Sequence, residues 1–314
     1  MINASEIRKY AAEAGFDLCG IARVRRLGDQ TQRLCDWLGM GYDSGLSYMR
    51  RNVEKRLDPA LLYEGAKTVI VCAANYKNEH WDQRNSRNPR ISSYALAQDY
   101  HVTMKAKLGI ILRRLSDEHP GIRGRCFTDS APVLEKSWAI EAGLGWRGKN
   151  SLIVTPRHGS FVFLGEIIVD AETDSYDSPF TRDGCGTCTA CIDACPNSAI
   201  VSPYVIDTNR CISRLTAEKI TDEAMSSPET HGWIYGCDIC QSVCPHNKRT
   251  PLSAHPESRP LFDPTSADQT FWDKFDADDF HEIFGTTPIT RIGFDAIKER
   301  AVNFFEEQQD NGQQ

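Results

Sequence analysis

The 314-residue chain has no long hydrophobic run. Two of its longest apolar stretches, residues 69–74 and 167–169, fall far short of the roughly 20 residues a membrane helix needs. The opening Met-Ile-Asn-Ala-Ser-Glu holds no basic-then-apolar segment, so no secretory signal and a cytoplasmic location are expected. No Gly-x-Gly-x-x-Gly follows a strand-like segment, which leaves no nicotinamide site in view. No RNA-recognition, KH or OB-type signature is visible. Apolar residues at 40% and charged residues at 25% exclude a disordered or fibrous chain. The length exceeds what one hydrophobic core usually needs, so more than one domain is expected.

Cysteine, by contrast, is plentiful at twelve. In a reducing compartment these are not a disulfide framework, and metal ligation is the economical reading. The run Cys185-Gly-Thr-Cys188-Thr-Ala-Cys191-Ile-Asp-Ala-Cys195-Pro196 has the C-x₂-C-x₂-C-x₃-C-P spacing of bacterial ferredoxins. Two-residue gaps let three thiolates converge on one cluster, while the three-residue step throws the fourth towards another. A second group, Cys237-Asp-Ile-Cys240-Gln-Ser-Val-Cys244-Pro245, lacks the first cysteine of the run, and Cys211 is available to replace it. Ferredoxin crossing then predicts one [4Fe–4S] cluster on Cys185, Cys188, Cys191 and Cys244. It puts the other on Cys195, Cys211, Cys237 and Cys240. Structural zinc also uses C-x₂-C pairs, but it does not call for the C-x₂-C-x₂-C-x₃-C-P run. Cys19, Cys35, Cys72 and Cys126 sit among apolar neighbours and read as buried structural thiols.

Net charge is −7 and unevenly spread: residues 1–160 hold 25 Lys+Arg against 17 Asp+Glu, the rest 11 against 26. A basic first half is compatible with an anionic partner or with a solvated surface. A first helix is capped by Asn3 and Glu6 and ended by Gly15, and residues 16–22 follow as a strand. Glycine-rich residues 37–49 read as a loop around short helical turns. Residues 68–74 suit a strand covered on both faces, and the polar stretch 77–90 reads as an exposed excursion. A helix over about 101–115 precedes a strand at 125–128. The next helix, over about 131–142, has Asp129 and Ser130 as caps and Pro132 in its first turn. Strands at 151–155 and 160–169 join at His158-Gly159. A last helix is expected after Thr287-Pro288, with a fraying tail from Glu306. The expected fold is α+β. An N-terminal α/β domain (1–172) precedes a ferredoxin-like domain (173–250) and an acidic helical C-terminal segment (251–314).

Several stretches resemble one family in order and spacing. They are Phe127-Thr-Asp129-Ser130-Ala131-Pro132-Val133-Leu134-Glu135, Gly143-Leu-Gly145-Trp146-Arg-Gly148-Lys149-Asn150-Ser151, Gly159-Ser160-Phe-Val-Phe-Leu-Gly165-Glu166 and Cys211-Ile-Ser213-Arg-Leu-Thr216, with the two cysteine groups among and after them. Together they resemble the epoxyqueuosine reductases, cobalamin-dependent oxidoreductases of the last step of queuosine synthesis. The likeness runs from about Ser5 to Asn247 and continues weakly to Phe304.

The resemblance implies an N-terminal domain that binds cob(II)alamin, with electrons arriving through the two [4Fe–4S] clusters. The implied substrate is epoxyqueuosine at the wobble position of a tRNA with a GUN anticodon, reduced to the alkene of queuosine with loss of water. Asp99-Tyr100-His101 comes nearest to the Asp-x-His-x-x-Gly cobalamin motif but lacks its glycine, so a base-off cofactor is the expectation. Asp129 corresponds to the family's proton donor, with a pKa raised by burial beside the corrin. Without the resemblance, Asp129 would be the cap of the following helix. The corrin contacts implied are Arg56, Tyr94, Asp99, Tyr100, His101, Ser130, Gly148, Lys149, Asn150 and Ser151, with Ser213 and Thr216 bridging to the cluster domain. The basic side chains Arg50, Arg51, Lys55 and Arg56 would meet tRNA phosphates. A monomer fed by an external flavodoxin or ferredoxin is implied, and the C-terminal region is shorter than the helical repeats of longer relatives. Reductive dehalogenases share this cofactor pairing but normally carry a twin-arginine signal; a bare electron carrier would contain iron and sulfide without a corrin.

Overall fold

The computed structural model describes residues 1–219 and 229–312. Its centre is a four-stranded antiparallel sheet in the order Leu18–Arg23, Thr68–Asn75, Val162–Val169, Gly124–Phe127. The Thr68–Asn75 strand is buried along its whole length, as its unbroken apolar run predicts. One face is covered by helices Ala4–Glu13 and Tyr100–Glu118, whose Ile7, Tyr10, Leu108 and Ile111 pack on Ile70, Cys72 and Ile167. The other is covered by helix Glu135–Glu141, where Trp138 and Ala139 meet Val69, Val71 and Ile168. The strand's two-residue alternation thus feeds two separate cores, and the fold is mixed α/β.

A third core is separate from these two. Strand Trp233–Tyr235 pairs in parallel with Arg90–Ile91, and Ile91, Ala95 and Leu96 pack with Trp272, Phe284, Ile297 and Ala301. The C-terminal residues are therefore built onto a segment from the first third of the chain. Among the described residues no helix is long and apolar enough to cross a membrane.

Four local expectations need correction. Residues 77–90 are an exposed excursion only in part: Glu79, Asp82, Arg84, Asn85 and Arg87 face solvent, whereas Lys77, Asn78 and Gln83 are each 3% exposed. The polarity of these three is spent internally. Lys77 Nζ donates to the carbonyls of Asn247 and Thr250, both at 2.8 Å, and sits 4.1 Å from the Trp81 ring centroid. Glycine-rich residues 37–49 are preceded by an unforeseen helix, Gly28–Gly39, which has no side-chain cap to announce it. Cys35 lies exposed on that helix, whereas Cys72 is buried as expected. The final helix begins at Phe294, after a turn at Pro288–Arg291, and continues to Gly312 through the tail expected to fray; residues 313–314 lie outside the described residues.

The Lys77 clasp ties the sheet domain to the end of the cysteine-rich segment. Lys77→Met keeps the stem and removes the donor, leaving the buried Thr250 carbonyl unpaired and the Asn247 carbonyl with only the Thr250 amide. The expected cost is about 1–3 kcal/mol, measured by urea denaturation of the reconstituted protein.

Candidate active site

Strand Gly124–Phe127 ends at Thr128, whose hydroxyl donates to the Leu164 carbonyl across the sheet. Asp129 follows with φ +50°, in the left-handed region that Asp tolerates better than most residues. That turn redirects the chain, so the expected helix does not start here. Residues 130–134 run irregularly, and the helix begins only at Glu135 with Leu134 in the cap position and no side-chain cap bond. Asp129 is thus not a helix cap. Its side chain is 52% exposed, at the wall of a large cavity.

Three neighbours in sequence converge on it from another element. Asp99 caps helix Tyr100–Glu118 by accepting from the His101 amide at 2.9 Å, and its carboxylate also lies 2.7 Å from His101 Nδ1. His101 Nε2 is 3.2 Å from Asp129 Oδ2, and Tyr100 donates its hydroxyl to the same oxygen at 2.7 Å. Tyr100 is held in place by stacking on Phe163 at 4.3 Å. With a carboxylate on each ring nitrogen, both nitrogens of His101 act as donors, so the ring is an imidazolium.

The electrostatics follow from this geometry and correct the expected pKa of Asp129. Burial alone would raise it, but the hydrogen bonds from His101 and Tyr100 outweigh burial and hold it at about 2. Burial likewise pulls His101 down, while Asp129 and Asp99 lift it to about 9. The proton of this group therefore rests on His101, shared towards Asp129. His101 is raised in the fold, so its contribution to stability is complete below its unfolded value of 6.5 and is lost as pH rises through about 9. His101→Gln should accordingly be less stable than the parent below pH 6.5, with the gap closing above about 9. Chemical denaturation at a series of pH values measures this.

Glu135 escaped the sequence reading although it ends the Asp129 motif. Its carboxylate accepts from the Asp129 amide, and burial, then the Asp129 charge, push it up to about 8.

The cavity has a volume of about 1500 Å³, above the roughly 300–1,000 Å³ typical of small-ligand sites. Arg56, Tyr94, Asp99, Tyr100, His101, Ser130 and Ser151 line it from the sheet-domain side. Ser213 lines it from helix Ile212–Ala217, with Cys211 at that helix's cap, and Arg291 from the C-terminal region. Arg56 is buried and donates to the Tyr48 carbonyl at 2.7 Å, but its Nε has no partner among the described residues, nor has Arg214 Nε. Unpaired buried donors beside a roomy cavity fit a bound group rich in acceptors, as an amide-bearing corrin is.

Not every expected contact is there. Gly148, Lys149 and Asn150 line a second, smaller pocket instead. Thr216 is fully buried and bonds the carbonyls of Ile212 and Gly236. Of the basic residues expected to meet phosphate, Arg51 and Arg56 reach the cavity. Arg50 is paired with buried Asp43 at 2.6 Å.

That second pocket is walled by Cys185, Cys188, Cys191 and Cys244. Three come from the first cysteine group and one from the end of the second. Cys240 has Cys211 and Cys195 among its electrostatic neighbours, and Cys237 has Cys240 and Cys211. Four of the eight thiols thus wall one pocket, and the other four have one another among their neighbours. The sets adjoin, since Cys191 also neighbours Cys240. Soft thiolates in fours, with Cys-Pro closing each turn, fit iron–sulfur clusters.

Comparison with known proteins agrees with this reading. Residues 184–247 match a family model described as a 4Fe-4S double cluster binding domain, and residues 56–130 one described as "Epoxyqueuosine reductase QueG, DUF1730". An epoxyqueuosine reductase of Leadbetterella byssophila is 42% identical over 309 residues, covering 97% of this chain and 98% of that one. One from Cyclobacterium marinum is 40% identical over 306 residues, with 95% of each chain covered. A crystal structure of an epoxyqueuosine reductase with an epoxyqueuosine-modified tRNA-Tyr stem loop superposes with a TM-score of 0.83 at 32% identity, covering 95% of this chain and 79% of that one. A cavity shared by a carboxylate–imidazolium pair and a helix capped by Cys211, a pocket walled by four thiols and relatives matched over nearly their whole length converge on one conclusion: the chain belongs to the epoxyqueuosine reductase family.

Proposed function

We propose that this chain reduces epoxyqueuosine to queuosine at the wobble position of tRNA. The observation that carries the reading is that Asp129 and Cys211 line the same cavity. Opening an epoxide to an alkene with loss of water consumes two electrons and two protons, so the reaction needs both supplies at one place.

Cys185, Cys188, Cys191 and Cys244 would hold one cluster, and Cys195, Cys211, Cys237 and Cys240 the other. Clusters of this kind supply one-electron transfer. Cys188 is exposed, which suits the first set to meeting an external flavodoxin or ferredoxin; Cys211 puts the second set against the cavity. Arg56, Tyr94, Ser130, Ser151 and Ser213 would hold the corrin, which supplies a strongly reducing cobalt centre when bound.

This chain's own residues manage the proton. Asp99 fixes the His101 ring through Nδ1, so that Nε2 faces Asp129 Oδ2. Tyr100 anchors the same oxygen. As negative charge builds on the epoxide oxygen, the proton held by His101 passes through Asp129 Oδ2 to the leaving oxygen. A pair of this kind keeps a proton available near neutral pH although Asp129 alone, at about 2, would not.

Arg33, Arg51, Lys136 and Arg147 at the cavity wall suit an anionic polymer at its mouth. An anticodon loop already presents splayed bases, so little unpairing is required. The test is anaerobic reconstitution with iron, sulfide and cobalamin, followed by a strong reductant and an epoxyqueuosine-bearing stem loop. Nucleoside mass analysis should find queuosine; unchanged epoxyqueuosine with full cofactor loading would contradict the proposal.

A further inference from the structure

The cavity-side set of thiols draws Cys211 and Cys237 from two different segments. Cys211 caps helix Ile212–Ala217, and Cys237 comes just after strand Trp233–Tyr235. Helix and strand meet where Thr216 Oγ1 donates to the Gly236 carbonyl at 3.3 Å. The helix has six residues and is about 9 Å long. A shift at its far end therefore passes straight to Cys211 at its near end, and to Ser213 at the cavity wall.

The C-terminal region, which contributes no thiol, grips that far end. Arg300 on helix Phe294–Gly312 donates to the carbonyls of Leu215 at 3.4 Å and Thr216, in the last turn of the cysteine-capped helix. The same guanidinium donates to the Ile234 carbonyl at 3.2 Å, in the strand. One planar fork thus ties the Cys211 segment to the Cys237 segment. Carbonyls in a last turn have no partner within their own helix, so Arg300 supplies donors that the helix itself lacks. Two more contacts act on the same pair of segments. Arg291 forms a salt bridge with Glu218, the residue after the helix, and the Tyr235 hydroxyl donates to the Pro288 carbonyl at 2.8 Å. Ile234 and Tyr235 also pack with Phe284, Ile289, Ile297 and Ala301. Apolar packing is non-directional and would not fix the short helix along its axis. Three hydrogen bonds from one rigid guanidinium do.

We propose that Arg300 is a positioning residue for electron delivery, and that the C-terminal helix is the brace that carries it. Arg300 holds the Cys211 and Cys237 segments at the spacing that the cavity-side cluster requires. This rests on the reading above that Cys211 and Cys237 serve one cluster. The set that shares a pocket with Cys185 takes no thiol from the clamped helix or strand, so it should not respond when the clamp is removed.

Arg300→Met keeps the apolar stem and removes every donor. Reconstituted with iron and sulfide and without corrin, the variant should form both clusters. On mild oxidation the cavity-side cluster, with one thiolate slack, should shed an iron. About one iron in eight is then lost, and a [3Fe–4S] signal appears in electron paramagnetic resonance. Cys211→Ala, prepared alongside, should give the same signal, which identifies the cluster. In a redox titration only one of the two midpoints should move. Arg300→Lys, which keeps the charge and a donor, should fall between Arg300→Met and the parent. With corrin and stem loop added, reductant-driven turnover of Arg300→Met should drop about 10–100-fold, as for other side chains that hold a ligand in place. Should Arg300→Met fail to fold, Arg300→Gln carries the same expectations. Parental iron content, signal and midpoints in the variant overturn the proposal. So does equal disturbance of both clusters, which marks a general loosening of the fold. If Cys211→Ala shows the [3Fe–4S] signal and Arg300→Met does not, the brace alone has failed; if Cys211→Ala keeps both clusters intact, the ligand reading has failed with it.

Discussion

Asp129→Asn should keep both clusters and the corrin and lose at least about 10²-fold in turnover, the lower bound for removing a general acid. The amide occupies the same volume and can still accept from Tyr100 and His101 at Oδ1, so folding and cofactor loading should survive. What it loses is the carboxylate through which a proton leaves His101. His101 should also fall in pKa, because the hydrogen bond it donates to Asp129, which helps lift it to about 9, weakens. The imidazole signal in proton NMR of the cofactor-free protein therefore titrates at lower pH in the variant. Iron, sulfide and cobalt analysis beside single-turnover kinetics separates this outcome from a loading defect. A fully loaded, fully active Asp129→Asn would refute the donor role.

The second large effect concerns the crossed cysteines. Cys244→Ser should empty the set that shares a pocket with Cys185, although Cys244 is nearer in sequence to Cys237 and Cys240. Cys195→Ser should instead disturb the set next to the cavity, although it completes the first sequence run. Each variant should retain about half the parental iron, with one cluster signal left in electron paramagnetic resonance of the reduced protein. Reductant-driven turnover should fall to background in both, because removing either cluster interrupts the supply between an exposed thiol set and a cavity-facing one. The uncrossed arrangement predicts the opposite assignment, with Cys195→Ser emptying the pocket of Cys185.

The cysteine spacing was the most legible part of the sequence because ligand geometry leaves few ways to place four thiolates from one short run. The apolar strands were legible for a similar reason: a stretch such as 68–74 admits only a site covered on both faces. Asp129 was legible as a residue but not as a geometry. Its neighbours Ser130 and Pro132 compose a good helix start, and nothing local signals that Asp129 itself turns left-handed and delays the helix to Glu135. Its pKa was expected in the wrong direction because the deciding partners, Tyr100 and His101, come from another helix nearly thirty residues earlier. Lys77 misled through the same blindness, since a charged side chain in a polar segment reads as solvated until the carbonyls of Asn247 and Thr250 are placed beside it.

The claim on which the rest depends is that proton and electron supplies open onto one corrin-holding cavity. Optical titration of the cluster-loaded protein with cob(II)alamin under anaerobic conditions tests it most directly, with Ser130→Trp as the comparison because Ser130 lines the cavity and is exposed. The prediction is one corrin bound per chain by the parent, with binding lost or weakened at least tenfold when the tryptophan fills the cavity. No corrin binding by the parent, or binding indifferent to Ser130→Trp, would contradict it.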